Sequence, residues 1–413
     1  MREPARSWSR AIFVLAALAA PNARAQEPAP SPSPSPSSVD DRVAASESTL
    51  GRILRTTVSG YVQARATYQD QAVPESNLFV RRARLNLRHS FDRGRFALSF
   101  DGGQNTVTVK DAYMDLLLTK NDGQRQGLTL RSGQFFRPFG FEIERGAPDR
   151  EFPERPTGWG VLFPGNRDQG FDLSVGVTPS LILNAAVVNG GGTSTSTLSF
   201  RDPDDHKDVM ARVRYSLFSP RIDLAASVYV GQQTIAGTPA VAAQTGFLDS
   251  NGNGVKDPGE ATVVSVPGKA AIAPIEGDRN RWGFAANVYD LLGGTLRAEL
   301  VGARDLTKNL GTGPSQKTAP ARAWYASYVH PLGKAWGLGA RYDEFDPDTN
   351  DTIRPDGDGE QDTLGALAMR QVGDQIRLTL TWERPWLTAY DKAAKQSSKT
   401  HHDLWTLQAQ YRF

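Results

Sequence analysis

The sequence has no cysteine and no long apolar run. The missing cysteine fits an exported protein that builds no disulfide framework. No later stretch is apolar over the roughly 18 residues that a membrane-spanning helix needs. The net charge of +2 is too near zero to indicate nucleic-acid binding by bulk electrostatics. These absences exclude a disulfide scaffold and a helical membrane protein, and we expect no nucleic-acid partner.

The first 25 residues have the pattern of a secretory signal peptide. Three arginines within the first ten residues form a basic start, and ten apolar residues follow from Ala11 to Ala20. An A-x-A cleavage site ends at Ala25. Ten residues are too few to cross a hydrocarbon core of roughly 30 Å as a helix. We therefore expect residues 1–25 to be a cleaved signal.

Residues 26–38 are almost entirely Pro, Ser, Ala and Glu, which cannot pack a core. We interpret residues 26–55 as a Pro/Ser-rich periplasmic tether, with a possible short helix after residue 38. Residues 56–413 are interpreted as one domain.

That domain shows period-two alternation. In residues 62–68, 209–217 and 376–383, apolar side chains alternate with polar ones, which indicates strands with one apolar and one polar face. Strands in a sandwich are usually about 5 or 6 residues long, whereas these segments have the length of tilted membrane-spanning strands. The polar face is rich in arginine and acids, and connections alternate between short and long, as in a water-filled barrel.

The prediction is an all-β fold, a transmembrane antiparallel β-barrel of about 16 strands with long external loops and short periplasmic turns. The strands are expected to begin near Val58, Leu78, Arg95, Val109, Leu128, Gln169, Leu181, Lys207, Arg221, Arg281, Thr295, Arg322, Ala335, Thr363, Gln375 and His402.

The C-terminal segment supports a bacterial outer-membrane location. From Trp405 to Phe413, apolar and aromatic residues occupy alternate positions up to a terminal Phe. Final strands of outer-membrane proteins have this pattern, and the barrel assembly machinery reads it. We therefore expect that machinery, outer-membrane lipid and lipopolysaccharide as partners.

Residues 59–177 resemble the phosphate-selective porin O/P family. The resemblance lies in the segments Phe79–Leu85, Asp111–Asp115, Gly133–Gly140, Glu154–Pro156 and Arg167–Gly170. It implies a 16-stranded barrel, a homotrimer, and a third external loop that folds into the pore over about residues 135–167. It also implies small anions such as phosphate as the solutes.

Charged side chains at the constriction decide which ions a porin prefers. The arginines of the expected inner loop are Arg137, Arg145, Arg150, Arg155 and Arg167. They alternate with Glu142, Glu144, Asp149, Glu151 and Glu154, so this loop is nearly neutral. Selectivity is therefore expected on the strand wall, where Arg65 and Arg131 also face inward. Arg82, Arg84 and Arg88 share one face of a strand and form either an anion-binding ladder or ion pairs with acids on neighbouring strands.

Lysines temper the analogy with phosphate-specific porins. Lys110, Lys120, Lys207, Lys256 and Lys269 are expected at strand ends, turns or loops. A general anion preference is therefore the interpretation, with phosphate specificity left open.

Residues 249–260 match a twelve-residue calcium-binding loop. The expected ligands are Asp249, Asn251, Asn253, the Val255 carbonyl, Asp257 and Glu260, with Gly254 at the turn. The flanking helices of an EF-hand are absent, so the alternative is an ordinary polar turn. The expected role of Ca²⁺ is to make a long external loop rigid.

Other functions stay open. The five histidines and the serines form no nucleophile-elbow or zinc-protease pattern, so an enzyme is not expected. The alternatives are a general or sugar-type diffusion porin without anion binding, and a barrel that acts as an adhesin or structural anchor.

Overall fold

The residues that the structure describes between 55 and 413 fold mainly as long antiparallel strands. The computed structural model describes residue 51 and residues 55–103, 106–119, 127–192, 205–218, 221–235, 244–247, 255–259, 261–266, 275–306, 318–351, 358–391 and 394–413. All but residue 51 belong to the compact unit Leu54–Phe413. Among these residues, no helix is both long and apolar enough to cross a membrane.

Nineteen strands and a short helix lie within the described ranges. The strands are β1 (Thr56–Gln69), β2 (Ser76–Phe91), β3 (Gly94–Gly103), β4 (Thr106–Leu117), β5 (Gly127–Phe136), β6 (Arg167–Thr178), β7 (Leu181–Val188), β8 (Asp208–Leu217), β9 (Ile222–Ile235), β10 (Gln244–Phe247), β11 (Thr262–Val266), β12 (Ile275–Leu291), β13 (Gly294–Leu306), β14 (Thr318–Leu332), β15 (Trp336–Asp346), β16 (Gln361–Val372), β17 (Ile376–Asp391), β18 (Gln396–His401) and β19 (Leu404–Arg412). The helix α1 spans Thr157–Leu162.

Sixteen of these strands, β1–β9, β12–β17 and β19, form a closed barrel. Each pairs antiparallel with the next, and β1 pairs with both β2 and β19. Closure leaves no unpaired edge, which satisfies the backbone along the whole wall. The predicted fold class is therefore confirmed. The hairpin β10–β11 and the short strand β18 were not predicted, and β12 begins at Ile275 rather than near Arg281.

The two faces of the wall differ in polarity. Val58, Phe284 and Leu407 point outward and are half exposed or more. Gln63 and Arg65 alternate with apolar residues along β1. Their side chains point inward and are buried. Because successive side chains of a strand point to opposite faces, the barrel has an apolar exterior and a polar, charged interior.

Two β-bulges interrupt the alternation and change which cations face inward. In β2, Gln63 pairs with Arg82 and Ala64 with Val80, so Arg81 is the extra residue. In β4, Lys110 is extra in the same way, between residues that pair with Ser99 and Phe100 of β3. A bulge bends its strand and re-aims a side chain. The prediction that Lys110 lies at a strand end or loop was wrong, because it lies within β4 and interacts with the interior charges of Asp101, Arg84 and Arg82.

Residues 137–166, here called the inner loop, turn into the barrel between β5 and β6, as the family resemblance implied. Its apolar side chains form a hydrophobic core with inward-facing apolar residues of the wall. The loop contributes Phe139, Ile143, Trp159, Leu162 and Phe163, and the wall contributes Ala186, Val188, Met210, Tyr229, Val301, Ala303, Ala319, Ala321, Ala323, Tyr325 and Phe345. This core fills the interior on the side of β7–β9 and β13–β15.

Close packing at this core depends on small wall residues. A Cβ atom at Gly283 would lie 2.7 Å from the ring of Phe139, and one at Gly158 would lie 2.3 Å from the Cβ of Ala323. Real Cβ atoms do not approach so closely, so a larger residue at Gly283 or Gly158 would displace the loop from the wall. The inner loop is therefore a packed element of the fold.

Replacing Phe139 by alanine is expected to lower the stability of the folded barrel. The ring is fully buried, and deleting such a ring costs about 3–5 kcal/mol through lost burial and a residual cavity. Urea unfolding in detergent, followed by tryptophan fluorescence, measures the loss. Phe284→Ala is the matched control, because that outward-facing ring leaves no internal cavity; equal losses in the two variants would contradict the assignment of the core.

Candidate pore constriction

The inner loop crosses the interior and is held by the opposite wall. The backbone N–H groups of Phe141 and Glu142 donate to one carboxylate oxygen of Glu299 at 2.8 and 2.6 Å. Further along, the N–H of Thr157 donates to Asp343 at 3.1 Å, which holds the start of α1 on β15. Wall carboxylates thus satisfy loop donors that have no partner within the loop. The loop narrows the interior at a fixed place.

Where the inner loop meets β1 and β2, four guanidinium groups converge on loop residues 153–154. Glu154 accepts ion pairs from Arg65 at 2.6 Å, Arg81 at 3.0 Å and Arg82 at 3.6 Å. The carbonyl oxygen of Pro153 accepts from Arg65 at 3.1 Å and from Arg150 at 3.2 Å. We call these four arginines with Glu154 the Glu154 cluster. Burial would raise the pKa of Glu154, but Arg82, Arg65 and Arg150 outweigh it and hold that pKa far below its usual value.

Arg150 is the least compensated cation of the cluster. Its side chain is 2% exposed, and Nε and Nη1 have no hydrogen-bond partner among the described residues. Arg155 lies nearby and donates to the carbonyl oxygens of Glu142, Ile143 and Arg145 at 3.1, 2.9 and 2.7 Å. Burial, together with Arg167 and Arg82, lowers the pKa of Arg155 to about 10. Positive charges thus lie close together here with little water to screen them.

The predicted ladder of Arg82, Arg84 and Arg88 is only partly present. Arg82 belongs to the Glu154 cluster, whereas Arg84 pairs with Asp101 across β2 and β3 at 2.6 Å. Arg88 is exposed and forms no ion pair among the described residues. The alternative, pairing between neighbouring strands, accounts for Arg84.

Most other arginines named from the sequence are ion-paired as well. The pairs are Arg131 with Asp115 at 2.7 Å, Arg137 with Asp168 at 2.9 Å, Arg145 with Glu151 at 2.5 Å, Arg155 with Glu142 at 3.8 Å and Arg167 with Asp111 at 2.7 Å. Arg137 is buried away from the cluster, beside a network that joins Arg279 to Asp208 and Arg281 to Asp305. These ion pairs stabilise the inner loop and the adjoining strands, so the arginines in them are less available to bind a passing ion.

Positive charge remains in excess around the constriction. The arginines of the Glu154 cluster and of the ion pairs next to it are Arg65, Arg81, Arg82, Arg145, Arg150, Arg155, Arg297 and Arg341, against the carboxylates Glu142, Glu151, Glu154, Asp343 and Glu383. Sequence reasoning missed Arg81 and Lys110, because a bulge depends on the register with the partner strand. The sequence did contain one indication of the bulge at β2. Arginines 81 and 82 are adjacent, and in a regular strand two adjacent side chains cannot both face the interior.

The calcium-loop residues are only partly described. Val255 is exposed and Asp257 is partly exposed, and Asp249, Asn251, Asn253 and Glu260 lie outside the described residues. Within the described part of the chain, no group of three or more His, Cys, Asp or Glu side chains is arranged to hold a metal ion.

A closed barrel of sixteen antiparallel strands with an inward-folded loop defines a porin-type fold. No model of a known protein family matches the sequence, and no curated protein does. Among solved structures, the anion-selective porin from Comamonas acidovorans has a TM-score of 0.56 at 11% identity, covering 87% of this chain and 99% of that one. OmpT, an outer membrane protein of Vibrio cholerae (trimer form), gives 0.54 at 8%, covering 87% and 99%. The outer membrane channel DcaP of Acinetobacter baumannii gives 0.53 at 11%, covering 87% and 97%. At such identities the similarity is one of fold.

Replacing Glu154 by glutamine is expected to destabilise the protein by leaving three guanidinium groups without their shared carboxylate. The cost should be about 1–2 kcal/mol, below that of a fully buried pair, because the Glu154 side chain is 43% exposed. Since the folded-state pKa of Glu154 is depressed, its contribution is present above the unfolded value of about 4.3 and is lost as pH falls through the folded value.

Chemical unfolding of both forms from pH 7 to pH 3 measures this difference. The stability gap should stay constant down to about pH 5 and close only below the usual range of glutamate. Asp149→Asn is the control, because Asp149 is 63% exposed and, within the described ranges, forms an ion pair only with the exposed Arg412. A gap that closes near pH 6 would show that Glu154 is not held in its ionised form.

Proposed function

We propose that this protein is a bacterial outer-membrane porin, a passive, water-filled channel that prefers anions. The observation that carries the proposal is the excess of arginine over carboxylate where the inner loop meets the wall. The apolar exterior supports a membrane location. The anion-selective porin of Comamonas acidovorans has a similar fold, which is consistent with an anion preference here.

The arrangement of charges would favour anions without trapping them. A guanidinium group donates several hydrogen bonds in one plane and can replace part of the hydration shell of chloride, phosphate or a carboxylate. Carboxylates that pair with the same arginines keep each side chain in place and weaken its hold on a passing ion. An ion that enters is thus attracted and then released to the next cation.

Phosphate is the finer candidate among the anions. The bulge at Lys110 places one lysine within electrostatic reach of Arg82 and Arg84, which supports a pore lysine of the kind that phosphate-specific porins use. The resemblance of residues 59–177 to the phosphate-selective porin O/P family points in the same direction. The rival, a general or sugar-type diffusion porin, predicts no preference between anions and cations, and an adhesin or structural anchor predicts no channel.

Assembly and export complete the proposal. We infer a homotrimer from the resemblance and from the trimer form named for the Vibrio cholerae OmpT structure. The signal peptide over residues 1–25, insertion by the barrel assembly machinery through the Phe413 strand, and contact with lipopolysaccharide remain part of the proposal.

Planar-bilayer recordings should show open channels whose reversal potential in a KCl gradient favours chloride. Arg82→Gln and Lys110→Gln should each reduce the chloride preference, because each removes a cation from the narrow region. Arg370→Gln is the matched control, since Arg370 lies against Trp336 near the exposed end of β16.

Millimolar phosphate should reduce the chloride current in the wild type and less so in the Arg82→Gln and Lys110→Gln variants. A cation-selective wild-type channel would overturn the proposal.

We further propose that residues 249–260 bind Ca²⁺. Oxygen ligands at six of the twelve positions, with Gly254 at the turn, support it. Calcium should slow cleavage of the loop by a protease in the purified protein, and Asp249→Asn with Glu260→Gln should abolish this protection. Equal cleavage with Ca²⁺ and with a chelator would refute the site.

A further inference from the structure

The outer face of the barrel has a recess across strands β12, β13 and β14. Ala286, Ala298 and Ala326 are direct cross-strand partners on this face, so three neighbouring strands present only a methyl group at the same level. We call these three residues the alanine trough. The recess above them has a volume of about 680 Å³, which is within the roughly 300–1,000 Å³ of pockets that hold small molecules.

Bulky apolar side chains border the alanine trough. Phe284, Leu300 and Trp324 form the next row of outward-facing cross-strand partners, two residues closer to the external loops. Trp324 packs against Tyr342 with ring centroids 5.4 Å apart. Because successive rows on one face lie about 7 Å apart along a strand, a row reduced to methyl groups leaves a slot wide enough for an extended hydrocarbon chain. Such a slot suits an apolar chain, because the side chains that border it offer almost no hydrogen bonds.

An arginine lies on the same outer face, closer to the external loops. Arg304 is exposed and lies six residues beyond Ala298 along β13. Its Nε donates to the hydroxyl of Thr318 at 3.2 Å, and it forms no ion pair among the described residues. Arg322 of β14 also faces outward, but it pairs with Glu344 at 2.8 Å. Within the described part of the chain, Arg304 is therefore the better placed of the two to bind an anionic group.

The spacing between the alanine trough and Arg304 matches the depth of one lipid leaflet. Six residues of a strand span about 20 Å, and a tilt of about 45° reduces this to about 14 Å along the membrane normal. One leaflet contains about 15 Å of hydrocarbon, half of a core of roughly 30 Å. With Arg304 at the level of the external headgroups, the trough lies near the inner ends of the acyl chains of that leaflet.

We propose that the alanine trough binds one acyl chain of the lipid A part of lipopolysaccharide, with a phosphate of that lipid at Arg304. A guanidinium group suits phosphate because its planar fork donates parallel hydrogen bonds. In the trough, the chain gains van der Waals contacts that an unfilled recess lacks. This site rests on the outer-membrane location in the proposed function and specifies where the lipid binds.

The test is native mass spectrometry of the purified protein in detergent with added diphosphoryl, hexa-acyl lipid A. The wild type should retain one lipid A per chain. Ala298→Trp fills the trough and should lose this lipid. Ala64→Trp is the matched control and should retain it, because Ala64 is an exposed alanine on the outer face of β1. Equal retention of lipid A by the two variants would overturn the proposal.

The contact with phosphate is tested at Arg304. Arg304→Gln should weaken binding about fivefold, the effect expected of one cation at a membrane surface. Arg93→Gln removes the same charge from the turn between β2 and β3, at the periplasmic end, and should bind lipid A as the wild type does. Equal weakening in both variants would show a general effect of charge and would overturn the contact at Arg304.

Dephosphorylated lipid A tests the same contact on the unaltered protein, so the proposal does not depend on the folding of a variant. It should bind the wild type about fivefold more weakly than the phosphorylated form, and equal affinities would overturn the phosphate contact. Phosphatidylglycerol that binds as tightly would overturn the assignment to lipid A. Loss of a trimer in Ala298→Trp, with unchanged retention of lipid A, would assign the trough to a second copy instead.

Channel recordings on the same wild-type preparation separate this proposal from the proposed function. An anion-selective channel that retains no lipid A would refute the lipid site alone. Retention of lipid A by a protein that forms no channel would refute the channel function alone.

Discussion

The closed hydrogen-bond ladder is the constraint on which the rest of the structure depends. Because β1 pairs with β19 as well as with β2, every wall strand has two neighbours and no edge is left open. The ladder therefore needs no help from the interior, and the inward face of each strand is free to carry charge. Such a wall tolerates an interior with many arginines and acids.

The inner loop divides that interior into two chemically different parts. On one side, Phe139, Trp159 and Phe163 pack against small and apolar wall residues and exclude water. On the other side, the same loop presents Arg150, Glu154 and Arg155 to charged side chains of the wall. The hydrophobic core thus supplies the rigidity with which charges can be placed to within hydrogen-bond distance. A loop held by its charges alone would be less well placed, because exposed ion pairs contribute little.

Around the constriction, arginines outnumber carboxylates. Arg84 and Arg131 have acids on neighbouring strands, and such pairs keep long side chains extended along the wall. At Glu154, by contrast, three arginines share a single carboxylate. Mobile anions would be attracted by this excess of arginine and conducted along the constriction.

The sequence by itself determined the approximate strand count and the polarity of each face, and the family resemblance of residues 59–177 implied the place of the long inner loop. Alternation along a strand is local, so residues such as Gln63 and Arg65 report their face directly. The fold class and most strand starts followed from this alternation, whereas the charged residues of the loop were singled out through the family resemblance.

Tertiary structure alone decided which charges meet. Arg81 and Lys110 face inward because a bulge sets their strands out of phase, and a bulge depends on the partner strand's register. Likewise, Arg150 and Glu154 are near neighbours in the chain, yet Arg150 forms no direct ion pair within the described residues, whereas Glu154 binds three arginines. Ion pairs join residues far apart in sequence, so their distribution follows from the packing of the loop against the wall and not from composition.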